Sequence, residues 1–152
     1  MAATTFLLVE DDPNDAFFVA HYFKSAPAHI RLRTVSDGAE AMRYIDGTGE
    51  YADRQKFPLP DVILLDLKMP RVSGFEFLEW LRSRVPDSLN IIPVVVMSSS
   101  AFEQDVQRAY ALGVNSYMVK PVNWEEFQQR ITALGIYWTE HTETPSHRRP
   151  NR

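Results

Sequence analysis

Three observations on the sequence predict an α/β fold in which a parallel sheet is covered by helices on both faces. Five short strand candidates alternate with five apolar stripes at helical spacing. Most links between them are short. The runs Phe6-Leu7-Leu8-Val9 and Val62-Ile63-Leu64-Leu65 are apolar at every position, as expected of strands buried on both faces.

Thr5-Phe6-Leu7-Leu8-Val9 reads as the first strand, closed by Glu10, Asp11 and Asp12. Asp12 is a good N-cap and Pro13 suits the first helical turn, so a helix begins there. Ala16, Val19, Tyr22 and Phe23 continue it until Pro27. Residues 30–35 are the second strand, and Ser36-Asp37 with Glu40 forms a cap leading into Ala41, Met42, Tyr44 and Ile45. Residues 47–60, polar, partly aromatic and bounded by Gly and Pro, predict an extended loop.

Asp61-Val62-Ile63-Leu64-Leu65 is the third strand and ends at Asp66. Phe75, Phe77, Leu78 and Leu81 place a helix over 74–82, closed by Pro86. The fourth strand is expected over 91–97, before Ser98-Ser99-Ser100. Phe102, Val106, Ala109 and Leu112 mark the fourth helix, with Gly113 suited to its C′ position. Residues 116–119 form the fifth strand, ending at Lys120-Pro121, and Trp124, Phe127, Ile131 and Leu134 stripe the last helix. The expected strand order is 2-1-3-4-5, a flavodoxin-like (βα)5 three-layer sandwich. Pattern is lost near residue 139, so one domain over 1–138 and a disordered tail over 139–152 are expected.

With 152 residues, 45% of them hydrophobic and 24% charged, the chain has the composition of one soluble globular domain. No apolar run approaches the roughly 20 residues needed to span a bilayer. The N-terminal residues lack the basic region of a secretory signal, so a cytoplasmic location without membrane contact is expected. Absence of cysteine excludes disulfides, thiolate metal sites and cysteine nucleophiles. The net charge of −4 gives no support to direct nucleic-acid binding.

Ligands of open parallel sheets bind at the carboxyl ends of strands, beside the point where strand order reverses. There the expected order gathers Glu10 and Asp11 from strand 1, Asp66 from strand 3, Ser98 from strand 4 and Lys120 from strand 5. Two unit charges 4 Å apart repel by about 4 kcal/mol at an effective dielectric near 20. Three converging carboxylates therefore call for a cation. Mg²⁺ suits an all-oxygen site that leaves room for water and a phosphate oxygen. Together with Lys120 and the Ser98 hydroxyl, Asp66 would form a phosphoryl-transfer site with a carboxylate nucleophile. Ser98 is preferred over Ser99 and Ser100 because it lies five residues after Pro93.

At Leu8-Val9-Glu10-Asp11-Asp12, Leu64-Leu65-Asp66-Leu67-Lys68-Met69-Pro70 with Gly74, residues 93–98, and Lys120-Pro121, the chain resembles the receiver (CheY-like) family of two-component response regulators. The resemblance implies that Glu10 and Asp11 serve a Mg²⁺ ion, with Asp66 and the Lys68 backbone carbonyl completing its protein ligands. It implies that Asp66 accepts a phosphoryl group from a sensor histidine kinase or a histidine phosphotransfer protein. It further gives Ser98 and Tyr117 switch roles and Lys120 the role of the family lysine. Such a protein is a phosphoacceptor switch in a phosphorelay, with Mg-dependent self-phosphorylation and autodephosphorylation, rather than an ordinary enzyme. Its signal would leave for an unidentified output protein through the face of the fourth helix, fifth strand and fifth helix.

The long 47–60 segment and the aromatic end of the last helix, Ile136, Tyr137 and Trp138, resemble the stand-alone regulators of bacterial phytochromes. That likeness suggests a bacteriophytochrome kinase, and a homodimer if Tyr137 or Trp138 is exposed. Covering of the core is the plainer role for both. Asp12 reads as a helix cap, and Tyr117 equally as a half-buried strand residue. A haloacid-dehalogenase-type phosphatase would need an Asp where Lys68 stands, and a flavin phosphate would be repelled by Glu10-Asp11-Asp12. A docking domain that is never phosphorylated is the remaining alternative.

Overall fold

In the computed structural model, residues 3–25, 29–84 and 88–145 are described. The strands are β1 (Thr4–Val9), β2 (Ile30–Val35), β3 (Val62–Leu65), β4 (Val94–Ser98) and β5 (Ser116–Val119). They pair in parallel in the order β2-β1-β3-β4-β5. Helices α1 (Pro13–Lys24), α2 (Gly38–Asp46), α3 (Gly74–Arg82), α4 (Glu103–Ala111) and α5 (Trp124–Glu140) follow the strands in turn. The flavodoxin-like sandwich expected from the sequence is therefore the fold.

Strand periodicity divides the core into two layers, because successive side chains point to opposite faces. Leu7, Val9, Ile63, Leu65, Val94 and Val96 pack with Tyr44, Ile45, Phe77, Leu78 and Leu81 of α2 and α3. Phe6, Leu8, Val62, Leu64, Val95 and Met97 pack with Val19, Phe23, Phe127 and Ile131 of α1 and α5. This is why β1 and β3 read as unbroken apolar runs.

Helix ends follow the expected capping chemistry. Asp12 accepts from the Asn14 N–H at 2.8 Å, and Asp37 accepts from the Glu40 N–H at 2.8 Å. Ser73 and Glu76 form a reciprocal capping box at α3. Gly113, at φ 90°, takes the left-handed turn after α4. Pro27 and Pro86 lie outside the described residues.

Three expectations need correction. Residues Ser88–Ile91 form a 3-10 turn, and β4 begins only at Val94. Pro93 has no N–H to donate, so the ladder starts after it: the Pro93 carbonyl accepts from Ile63, and the Val94 N–H donates to the Asn115 side chain at 2.9 Å. The 47–60 segment is not simply extended. Gly49–Ala52 is a 3-10 turn that delivers Tyr51, 5% exposed, onto Tyr44 and Phe57. Helix α5 runs two residues past 138, where the Thr139 hydroxyl donates to the Gly135 carbonyl at 2.7 Å. Of the tail, residues 146–152 lie outside the described residues. Among the described residues no helix is long and apolar enough to cross a membrane.

Candidate functional site

The sheet's hydrogen-bond ladder continues one residue past the strands and fixes the polar groups. The Glu10 N–H donates to the Val35 carbonyl at 3.0 Å, Asp66 N–H to Val9 at 3.0 Å, and Lys120 N–H to Ser98 at 2.7 Å. Backbone pairing across the five strands therefore sets where these three side chains begin. Gly74 allows the start of α3 to close over the same edge, since a Cβ there would lie 2.5 Å from the Asp66 carbonyl oxygen. The linking loop holds Arg71 at φ 65°, a conformation that a non-glycine residue adopts at some cost. An ion pair from Arg71 to Asp37 ties that loop to the start of α2 and holds the Asp37 carboxyl below the usual range.

One carboxylate oxygen each from Glu10, Asp11 and Asp66 lies within 4.8 Å of the others. Glu10 and Asp66 are buried, whereas Asp11 is exposed at the mouth. Lys120 Nζ stands 2.5 Å from Glu10 Oε1, 2.8 Å from Asp15 Oδ2 and 4.0 Å from Asp66 Oδ2. One ammonium thus faces three carboxylates. Burial, and then the neighbouring Asp66, push the Glu10 carboxyl up to about 8 against the pull of Lys120. Burial likewise raises Asp66, opposed by Lys120 and by the Lys68 backbone N–H. Burial works against the charge on Lys120, but Glu10, Asp15 and Asp66 outweigh it and hold the ammonium above its ordinary range.

Such a surplus of hard oxygen donors around a partly open position fits a divalent cation. The donor set contains neither histidine nor sulfur, which disfavours zinc.

Ser98 is fully buried at the end of β4, and its Oγ accepts from the Ser100 N–H at 3.1 Å. Ser100 Oγ accepts from the Phe102 N–H ahead of α4 and donates to Asp105 at 2.5 Å. Tyr117 is half-buried and donates its hydroxyl to the Ser100 carbonyl at 2.9 Å. Ser98 and Tyr117 therefore both hold the backbone of Ser100, in the loop after β4. Lys68 follows Asp66 closely and its side chain is exposed. Asp15, absent from the sequence expectations, enters the site from the first turn of α1. Its only sequence signal is an acid in a helical turn where acids are common for dipole reasons.

Residues 6–132 match the family described as "Response regulator receiver domain". The chain is 35% identical to response regulator Rcp1 of Synechocystis over 140 residues, covering 92% of each protein. It superposes with a TM-score of 0.88 on the phosphorylated cyanobacterial phytochrome response regulator RcpA, at 35% identity, covering 95% of this chain and 100% of that one. The Mn²⁺-bound form of Rcp1 superposes with a TM-score of 0.85 at 33% identity, covering 94% and 99%.

Proposed function

Because the chain belongs to the response regulator receiver family, whose members act as phosphoacceptor switches in phosphorelays, we propose that Asp66 is its phosphoryl acceptor. The supporting observation is the convergence of Glu10, Asp11 and Asp66 within 4.8 Å, with Lys120 among them. An Asp66 oxygen attacks phosphorus as the bond to the donor's histidine nitrogen breaks, giving an acyl phosphate. Water later attacks phosphorus, the Asp66–phosphorus bond breaks, and inorganic phosphate leaves with the carboxylate restored.

Glu10, Asp11, Asp66 and the Lys68 backbone carbonyl would hold a divalent cation, for which Mg²⁺ is the natural choice. When bound, the ion offsets the negative charge of both carboxylates and phosphoryl oxygens. Lys120 supplies fixed positive charge. The Ser98 hydroxyl leaves the Ser100 N–H to donate to a phosphoryl oxygen, and Tyr117 follows the rearranged Ser100 loop. A phosphoryl group brings about −1.5 to −2 charge, so states with Ser98 and Lys120 drawn inward gain population.

Similarity to the phytochrome regulator RcpA supports a cytoplasmic sensor histidine kinase of the bacteriophytochrome type, or a phosphotransfer protein, as donor. The output face is α4, β5 and α5. Tyr137 is 50% exposed there and supports a homodimer, whereas Trp138 packs against the core. The receiver unit is assigned to the residues up to the end of α5 at Glu140, and the remainder to a tail.

The test is intact mass at neutral pH after incubation with Mg²⁺ and acetyl phosphate. Wild type should gain one phosphoryl mass, and Asp66→Asn should gain none. A wild type that never gains it would instead identify a docking domain.

A further inference from the structure

Asp15 is the one charged group in the site that the phosphoacceptor reading leaves without a task. It lies in the first turn of α1, where its backbone N–H donates to Asp12 Oδ1 at 3.3 Å, so its position is fixed by the helix cap. Its carboxylate accepts from Lys120 at 2.8 Å, while the Asp66 carboxylate, at 4.0 Å, lies beyond hydrogen-bond reach of that ammonium. Lys120 has three N–H donors, and two are taken by Glu10 and Asp15. Both hold it on the side of α1 and β1.

The third N–H is taken by neither, but Lys120 closes the 4.0 Å gap toward Asp66 only by moving off the α1 and β1 side, which lengthens one of these contacts. The two are unequal. The Glu10 side chain is 1% exposed and cannot be rehydrated in place, because a buried carboxylate stripped of its partner is costly. The Asp15 side chain is 18% exposed and can turn to water.

We propose that Asp15 is a positioning residue that holds Lys120 away from Asp66 in the resting state and competes with the phosphoryl group for it. The inference rests on Asp66 being the acceptor. Asp15 thereby lowers the affinity of the site for a phosphoryl group and leaves a resting lysine that must be drawn over. Its negative charge near the incoming dianion acts in the same direction.

Beryllofluoride with Mg²⁺ is the probe, with binding followed by tryptophan fluorescence. Asp15→Asn keeps the side-chain volume and removes the charge; it should bind beryllofluoride about threefold to tenfold more tightly than wild type, as expected for loss of one partly exposed ion-pair competitor. Asp15→Glu should return the affinity toward wild type. In the resting protein, without any phosphoryl analogue, Asp15→Asn should also speed exchange of the Lys120 ammonium protons seen by ¹⁵N NMR. Binding unchanged or weakened in Asp15→Asn, or ammonium exchange unaltered, overturns the proposal. A wild type that fails to bind beryllofluoride at all overturns instead the assignment of Asp66 as acceptor.

Discussion

The Asp66 carboxylate, the proposed acceptor, is kept where its charge is disfavoured. It is 7% exposed, and burial raises its pKa against the pull of Lys120. A carboxyl whose folded pKa lies above its unfolded value subtracts stability once the pH is high enough to ionise it. Asn of the same shape removes that cost, so metal-free Asp66→Asn should be more stable than wild type at neutral pH by about 1 to 2 kcal/mol, the usual gain from relieving a strained functional site. Urea unfolding in EDTA measures it, and a variant less stable than wild type would show that Lys120 more than compensates burial. The residues of the candidate site were legible because Glu10 with Asp11, Asp66 and Lys120 stand at strand ends, where topology decides what they meet. Asp15 was not, since its direction depends on how α1 leans on the sheet. Ser98 was placed by its distance from Pro93, but the direction of its hydroxyl depends on a local loop bond that spacing does not encode.

At the scale of elements, the segment after α2 shows what sequence patterning cannot convey. Its polar composition predicts a loop, yet Arg54 binds it to the helix end, donating to the Tyr44 and Ile45 carbonyls at 2.7 Å each and to Phe57 at 3.4 Å. The Arg54 guanidinium thus satisfies orphan carbonyls at the α2 terminus while Tyr51 and Phe57 fill the adjoining surface. Arg54→Ala leaves those carbonyls without their charged donor and should cost about 2 to 3 kcal/mol in chemical denaturation. Beryllofluoride binding should be unchanged, because no residue of this segment touches Lys120 or the carboxylates. A loss below about 0.5 kcal/mol would mean that water replaces the guanidinium and that the segment is only loosely attached. Apolar runs and periodicity located the five strands and five helices because nearly all of them bury side chains; in β5 all four residues are only half-buried. They missed the Gly49–Ala52 turn, which is too short to show a pattern, and they overran the start of β4, where the decisive feature is the missing N–H of Pro93 rather than hydrophobicity.

For the whole molecule, the site links stability to pH and to metal. Burial and Asp66 raise the Glu10 carboxyl from 4.5 to about 8. Below about pH 4.5 folded and unfolded chains both hold this proton, and it contributes nothing to pH dependence. Between 4.5 and about 8 the unfolded chain has released it and the folded chain has not, so stability falls as pH rises; above 8 the full cost of the buried charge is present. A divalent cation held by the deprotonated carboxylates would offset that cost, and only in the folded chain, where β1 and β3 bring them together. Free Mg²⁺ at 100 times its dissociation constant should stabilise the fold by about 2.7 kcal/mol. At a fixed Mg²⁺ concentration the rise in Tm should be larger at pH 8 than at pH 6, because fewer protons compete for Glu10. Glu10→Gln should flatten this dependence while lowering the metal affinity. Equal Tm shifts at both pH values in wild type would mean that Lys120 keeps Glu10 ionised throughout, leaving Asp11 and Asp66 to set the metal's pH response.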